Sequence, residues 1–218
     1  MKKFTFLLFI LPVFFFQEVN AQFAADGLYL WNSTSLCYSA NKKTELVLSN
    51  KDHFSNQIDH LDYFHFELTA YRALTTNFQL GLGYRQTESY KTSSWSPGST
   101  YLFYTVYNFH PADISIRFAN RLAVRTYKIS DTQYTFDNIT NVDFFAHSTS
   151  KIPKPFLNDE IFTNLNHQKV QTIRLYTGLH LLKFQHLAFD LYYCYQKTRP
   201  SWEWKNYNIW GISTKFRI

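Results

Sequence analysis

Apolar and polar residues alternate singly along most of this chain, the period of a β-strand that meets different environments on its two faces. In residues 78–85, Phe78, Leu80, Leu82 and Tyr84 share one face, and Gln79, Gly81, Gly83 and Arg85 the other. Residues 114–125 repeat the scheme. Ile114, Ile116, Phe118, Leu122 and Val124 oppose Ser115, Arg117, Arg121 and Arg125, with Asn120 a polar break in the apolar face. Ile173, Leu175, Thr177, Leu179 and Leu181 oppose Thr172, Arg174, Tyr176, Gly178 and His180. Leu187, Phe189, Leu191, Tyr193 and Tyr195 oppose Ala188, Asp190, Tyr192, Cys194 and Gln196. The chain then ends on a strand, with Trp210, Ile212, Phe216 and Ile218 opposite Gly211, Ser213, Lys215 and Arg217.

Residues 64–71 alternate in the same way, while 27–38, 43–50, 99–109, 133–147 and 155–165 are strand-like by composition and less regular. These segments make eleven candidate strands. Their mean spacing of about 18 residues exceeds the roughly 8–12 of a sandwich and suits long strands joined by loops. A terminal strand leaves an open edge unless the sheet closes on itself, and closure is what a membrane-spanning sheet requires. The predicted fold is all-β: an antiparallel up-and-down transmembrane β-barrel of 10–12 strands. Even strand numbers in single-chain bacterial barrels leave two counts. Ten follows if 27–38 forms no full strand, and twelve if two strands have been read as one.

The connections add to this picture. Residues 75–77, 110–113 and 183–186 read as tight turns, whereas 86–99 and 196–205 read as longer polar loops carrying Pro97, Gly98 and Pro200. Short turns at one end and longer loops at the other are the habit of membrane barrels.

The first residues read as a targeting segment. Lys2 and Lys3 precede an apolar run from Phe4 to Phe16, and Val19-Asn20-Ala21 supplies small residues for cleavage after Ala21. Residues 1–21 are therefore expected to be a signal peptide, and 22–218 a single β-barrel domain in the cell outer membrane. After Ala21 no stretch reaches the ~18 apolar residues of a spanning helix. Mean hydropathy is −0.30, so hydropathy alone would favour a soluble protein. Aromatic residues, 20% of the chain, favour pleated and half-buried surfaces instead. The net charge of +6 is scattered along alternating strands, with no run that would grip a nucleic-acid backbone. Cys37 and Cys194 are compatible with a disulfide or with two separate thiols.

With the polar faces turned inward, the lumen would hold Glu67, Arg85, Arg117, Arg121, Arg125, Glu160, Arg174, His180, Asp190, Lys215 and Arg217. Arg117, Arg121 and Arg125 stand about 13 Å apart along one face. Such a row suits selection of a small anionic solute, or else a plug of Arg–Glu pairs filling a narrow barrel. Nucleophile-elbow, zinc-protease, CxxC and phosphate-loop motifs are absent from the sequence, and no cofactor or metal is expected. Asp52-His53 and Asp59-His60 read as solvated residues of one loop. Trp202 and Trp204 in an outer loop, and Trp210 in the last strand, fit an aromatic belt at a membrane interface.

The chain resembles a family of exported Bacteroidota proteins called domain of unknown function 2490. The likeness rests on the Lys-Lys signal ending in Ala-Gln, Trp31, Leu80-Gly81-Leu82-Gly83-Tyr84, the run 157–162, the run 174–179, and Tyr192 to Tyr195. The resemblance implies an outer-membrane-type barrel and supplies no activity and no catalytic residues. The expectation is thus a structural protein or restricted small-solute channel, not an enzyme, in contact with outer-membrane lipid and the barrel-assembly machinery. Two alternatives stand beside it: an outer-membrane enzyme acting on lipid or lipopolysaccharide with His65 or His180 as base, and a soluble exported ligand-binding barrel.

Overall fold

The computed structural model describes residues 29–55, 60–91, 94–127, 131–144, 153–184, 186–199 and 203–218. The expected signal segment and Trp202 lie outside them. The described residues form eleven strands: β1 (Tyr29–Asn41), β2 (Thr44–Ser55), β3 (His60–Ala73), β4 (Phe78–Lys91), β5 (Ser94–Phe109), β6 (Ile114–Tyr127), β7 (Gln133–Phe144), β8 (Lys154–Asn164), β9 (Lys169–Lys183), β10 (Leu187–Thr198) and β11 (Lys205–Arg217). Consecutive strands pair antiparallel throughout, and β11 returns to β1 to close the barrel.

Closure departs from the even count expected. Eleven strands joined by antiparallel neighbours must bring the first and last together running the same way. β1 and β11 accordingly pair in parallel, from Tyr29 opposite Ile209 to Cys37 opposite Arg217. Among the described residues the count is eleven, neither ten nor twelve: Tyr29–Asn41 forms a full strand, and no two strands were merged. Parallel pairing satisfies the backbone donors and acceptors of both end strands, which is the physical requirement behind closure.

Two predicted loops are strand. Most of 86–99 belongs to the β4–β5 hairpin, whose strands pair as far as Lys91 opposite Ser94. Pro97 is tolerated there because β6 pairs with β5 only from Gly98 onward, leaving the Pro97 nitrogen on an unpaired side. Asp52 and His53 lie within β2 and not in a loop. A bulge between Phe189 and Asp190 places Leu182, not Leu181, as the outward residue of β9 that meets Phe189.

Face assignment follows the alternation. Leu68, Leu82, Phe66 and Tyr101 project outward, each more than half exposed, while Thr69, Thr100, Leu102 and Val106 face the interior and are buried. The polar residues of the alternating strands thus line the lumen, and the apolar ones form the outer wall. The inner wall also carries glycines at points where a large cross-strand neighbour leans over the backbone. Gly81 lies under Tyr71, Gly98 under Tyr127, Gly178 under Phe156 and Gly211 under Tyr192, and each covering ring belongs to the glycine's register partner. A Cβ at Gly81, Gly178 or Gly211 would occupy the space of the ring, whereas at Gly98 it would meet Thr87 Oγ1 before the ring.

Candidate functional site in the barrel lumen

An eleven-strand barrel is wider than the eight-strand case, whose interior ordinary side chains fill, and narrower than barrels with an aqueous channel. The interior of this one carries large side chains and ion pairs between register partners. Glu67 of β3 faces Arg85 of β4, with Arg85 Nη2 2.6 Å and Nε 2.8 Å from Glu67 Oε2. The other carboxylate oxygen accepts from Thr69 Oγ1 at 2.8 Å and Tyr104 OH at 2.9 Å, so all of Glu67's polar capacity is used. Arg121 of β6 donates from Nε to Asp137 Oδ2 of β7 at 2.8 Å. Arg174 of β9 reaches Glu160 of β8 at 3.1 Å and donates to Gln196 of β10 at 2.7 Å, while Tyr176 OH caps Glu160 at 3.0 Å. Cross-strand placement gives each charge a counter-charge at the position where β pairing alone fixes the distance.

Aromatic rings knit these pairs together. Arg174 Cζ lies 4.8 Å from the ring centroid of Trp31 and 4.6 Å from that of Phe162, and Arg121 Cζ lies 5.7 Å from Phe162. Lys51 Nζ sits 4.1 Å from the centroid of Trp31, on which His53 stacks at 4.2 Å. His53 in turn packs on Tyr63 at 4.6 Å, and Tyr63 OH bonds His65 Nδ1 at 2.9 Å. Guanidinium groups over ring faces add a cation–π attraction to the ion pairs while packing against the aromatic rings.

A separate cluster lies towards the end of the barrel that carries the β9–β10 turn. His180 of β9 is held between two carboxylates, with Nδ1 2.6 Å from Asp190 Oδ1 and Nε2 3.2 Å from Asp143 Oδ1, and it stacks on Phe156 at 4.7 Å. Both ring nitrogens are engaged, and no hydroxyl or thiol among its polar contacts stands ready as a nucleophile. No group of three metal-ligating side chains in metal-binding geometry occurs among the described residues.

The predicted lumen set therefore converges in part. Glu67, Arg85, Arg121, Glu160 and Arg174 meet in the central packing, and His180 and Asp190 meet each other. The arginine row does not act as one strip. Arg121 is neutralised by Asp137, Arg125 donates to Thr100 and Tyr127, and Arg117 lies 5.9 Å from the Tyr71 ring. Lys215 and Arg217 fall on the inward parity of β11 near its end. Trp210 faces outward and meets Tyr193 edge to face at 5.6 Å, while Trp204 is exposed just ahead of β11. Both cysteines are free and buried on the inner face. Cys194 lies level with Tyr29, and Cys37 stands eight residues farther along β1, roughly 26 Å away, too far for a bond.

Sequence reasoning missed Asp137, Trp31, Tyr104 and Phe162. The inward parity of Asp137 follows from its outward neighbours Tyr134 and Phe136, but Ile139 in the same strand, like Val106 in β5 and Trp31 in β1, puts an apolar residue on the inner face and blurs the period.

The family model described as Protein of unknown function (DUF2490) matches residues 28–207, from the start of β1 into β11. Comparison with curated proteins gives no match.

Proposed function

The chain belongs to the DUF2490 family, and on its own geometry we propose that it is an outer-membrane β-barrel with an occluded lumen. It serves as a structural component of that membrane and not as an open pore or an enzyme. One observation carries the reading: the barrel is inside-out relative to a soluble protein. Large apolar side chains such as Leu68, Leu82 and Phe103 point away from the barrel, while Glu67, Arg85, Arg121 and Asp137 are buried in pairs within it. Water rewards the opposite arrangement, and lipid rewards this one. Strand length agrees. The shortest strand, β8, has 11 residues. At a rise of ~3.3 Å and a tilt of ~45° such a strand stands about 26 Å tall, the height of a hydrocarbon core. The basic start Lys2-Lys3 and the cleavage-like Val19-Asn20-Ala21 supply a route for export.

Occlusion favours a structural role over conduction, because the ion pairs and rings meet in the same central layer. Carbonate extraction of membranes and comparison of unheated with boiled samples test the placement. A resistant protein with a heat-dependent mobility shift is expected, and one that washes off without a shift ends the reading. Planar-bilayer recording tests the lumen: steady single-channel steps from the intact chain would refute occlusion.

A further inference from the structure

The outer wall is not uniform. A groove of about 500 Å³ crosses it between two neighbouring rows of outward side chains. Thr44, Arg72, Leu80, Thr105 and Asn120 form one row, and Ala70, Leu82, Phe103, Leu122 and Phe136 the other. Within each row the residues are successive register partners, so the groove follows the hydrogen-bonding direction from β2–β3 to β6–β7. From Ala70 to Phe136 that is four strand spacings, about 19 Å. Because strands in a barrel are tilted, such a row climbs diagonally, from the rim near the β1–β2 turn to the mid-height of β6.

The two ends differ in chemistry. At the rim, Arg72 is exposed and donates to Thr44 Oγ1 at 2.6 Å, and among the described residues no carboxylate pairs with it. The exposed turn residues Lys42 and Lys43 stand beside it, tied to the end of β3 by the bond from Ala73 N to Lys43 O at 2.7 Å. Glu45, the nearest acid in β2, has the inward parity of its partner Tyr71. Away from the rim the groove is walled by Leu80, Leu82, Phe103, Leu122 and Phe136.

We propose that this groove is a binding site for one anionic phospholipid, its phosphate held by Arg72 and the Lys42-Lys43 turn and one acyl chain lying along Leu82, Phe103 and Leu122. The inference rests on the membrane reading above. Three features select this occupant. The length suits an extended long acyl chain, the row from Ala70 through Leu82, Phe103 and Leu122 to Phe136 offers it apolar contact, and the cationic Arg72, Lys42 and Lys43 at the groove's end match a phosphate.

Native mass spectrometry of the full chain, purified in non-ionic detergent and titrated with dioleoyl phosphatidylglycerol or phosphatidylcholine, tests the site. The parent is expected to retain one phosphatidylglycerol roughly tenfold more tightly than further copies and than phosphatidylcholine. Arg72→Gln combined with Lys43→Gln removes that preference, and Leu82→Trp, which fills the groove, weakens the first copy of either lipid by a similar factor. Leu48→Trp, outward on β2 and outside the groove, leaves binding unchanged. If Leu82→Trp fails to fold, shown by loss of the heat-dependent shift, the exposed Arg72 and Lys43 variants carry the test. Equal, non-saturating uptake of both lipids, parent-like binding by those variants, or a dimer that Leu82→Trp dissociates would each overturn the site. Membrane placement is judged separately by vesicle flotation. A chain that floats but takes no saturable phosphatidylglycerol refutes the site alone, and one that does not float refutes the membrane reading.

Discussion

Arg85 and Glu67 stand directly opposite each other on β4 and β3, and Arg85 directs two nitrogens, Nε and Nη2, at a single oxygen of Glu67. The geometry leaves Oε1 free for Thr69 and Tyr104, which ties strands β3, β4 and β5 through one carboxylate. Both side chains are about nine-tenths buried, 12% exposed each.

Removing one partner should therefore be worse than removing both. Arg85→Ala leaves a buried, uncompensated carboxylate and is expected to cost about 3–5 kcal/mol of folding stability. The double change Glu67→Leu with Arg85→Leu should recover most of that loss, since a packed apolar pair of similar volume is often neutral. Urea unfolding of the folded protein in lipid vesicles, followed by tryptophan fluorescence, measures both. A double variant as unstable as the single one would mean that Glu67 contributes through Thr69 and Tyr104 more than through Arg85.

The inner glycines make a second expectation. Gly178 and Gly211 lie under Phe156 and Tyr192, and a Cβ at either would meet the ring and must displace it. Ala substitution at Gly211 should destabilise by about 1–3 kcal/mol, the usual scale of overpacking. Coupling identifies the cause: with Tyr192→Ser in the background, Gly211→Ala should become nearly neutral. A double-mutant cycle on thermal unfolding reads the interaction, and strict additivity would place the clash elsewhere.

How far these features were legible in the chain follows from which rule each depended on. The inward placement of Arg85, Arg117, Arg121, Arg125 and Arg174 depended only on parity, which a strand cannot evade without a bulge. The pairing of Arg121 with Asp137 depended on register between β6 and β7, and alternation within one strand carries no information about its neighbour's offset. The hairpin through Trp95 and Pro97 looked like a loop because proline and glycine there signal turns. In place, the unpaired side of β5 accommodates Pro97, and Trp95 packs on Phe64 and Tyr90. His53 looked solvated beside Asp52, whereas the neighbouring positions of a strand face opposite sides, and His53 is the one turned onto Trp31. Closure was misjudged because evenness is a statistical habit of bacterial barrels, while hydrogen-bond satisfaction, the underlying requirement, also admits a parallel pair.

The parallel seam is open to direct test. Thr34 and Thr214 are register partners on the outward faces of β1 and β11. Directly opposite residues at strand spacing fall within the Cα separation a disulfide tolerates. Thr34→Cys with Thr214→Cys should crosslink rapidly on mild oxidation, changing electrophoretic mobility, while Thr34→Cys with Phe216→Cys should crosslink poorly. The native thiols do not interfere, because Cys37 and Cys194 are buried on the inner face. Efficient crosslinking of the offset pair instead would mean that β1 has slipped or pairs differently.

Leu122 offers the sharpest separation between lipid and water as the medium outside the barrel. It lies near the middle of β6, projects outward and is 36% exposed, next to Leu82 and Phe103 on the same wall. In a membrane, arginine at such a depth should cost about 2–4 kcal/mol, since the guanidinium must reach an interface or draw water inward. In a soluble barrel the same Leu122→Arg change replaces an exposed apolar group by a charged one, with an effect within about 0.5 kcal/mol and better solubility. Folding into phosphatidylcholine vesicles across a urea series, read as the heat-dependent mobility shift, distinguishes the two. A lower midpoint for Leu122→Arg together with a parent-like midpoint for Thr126→Arg, outward on β6 beside the strand's end and closer to an interface, is the outcome expected of a spanning barrel. Equal midpoints for both would place the outer wall in water.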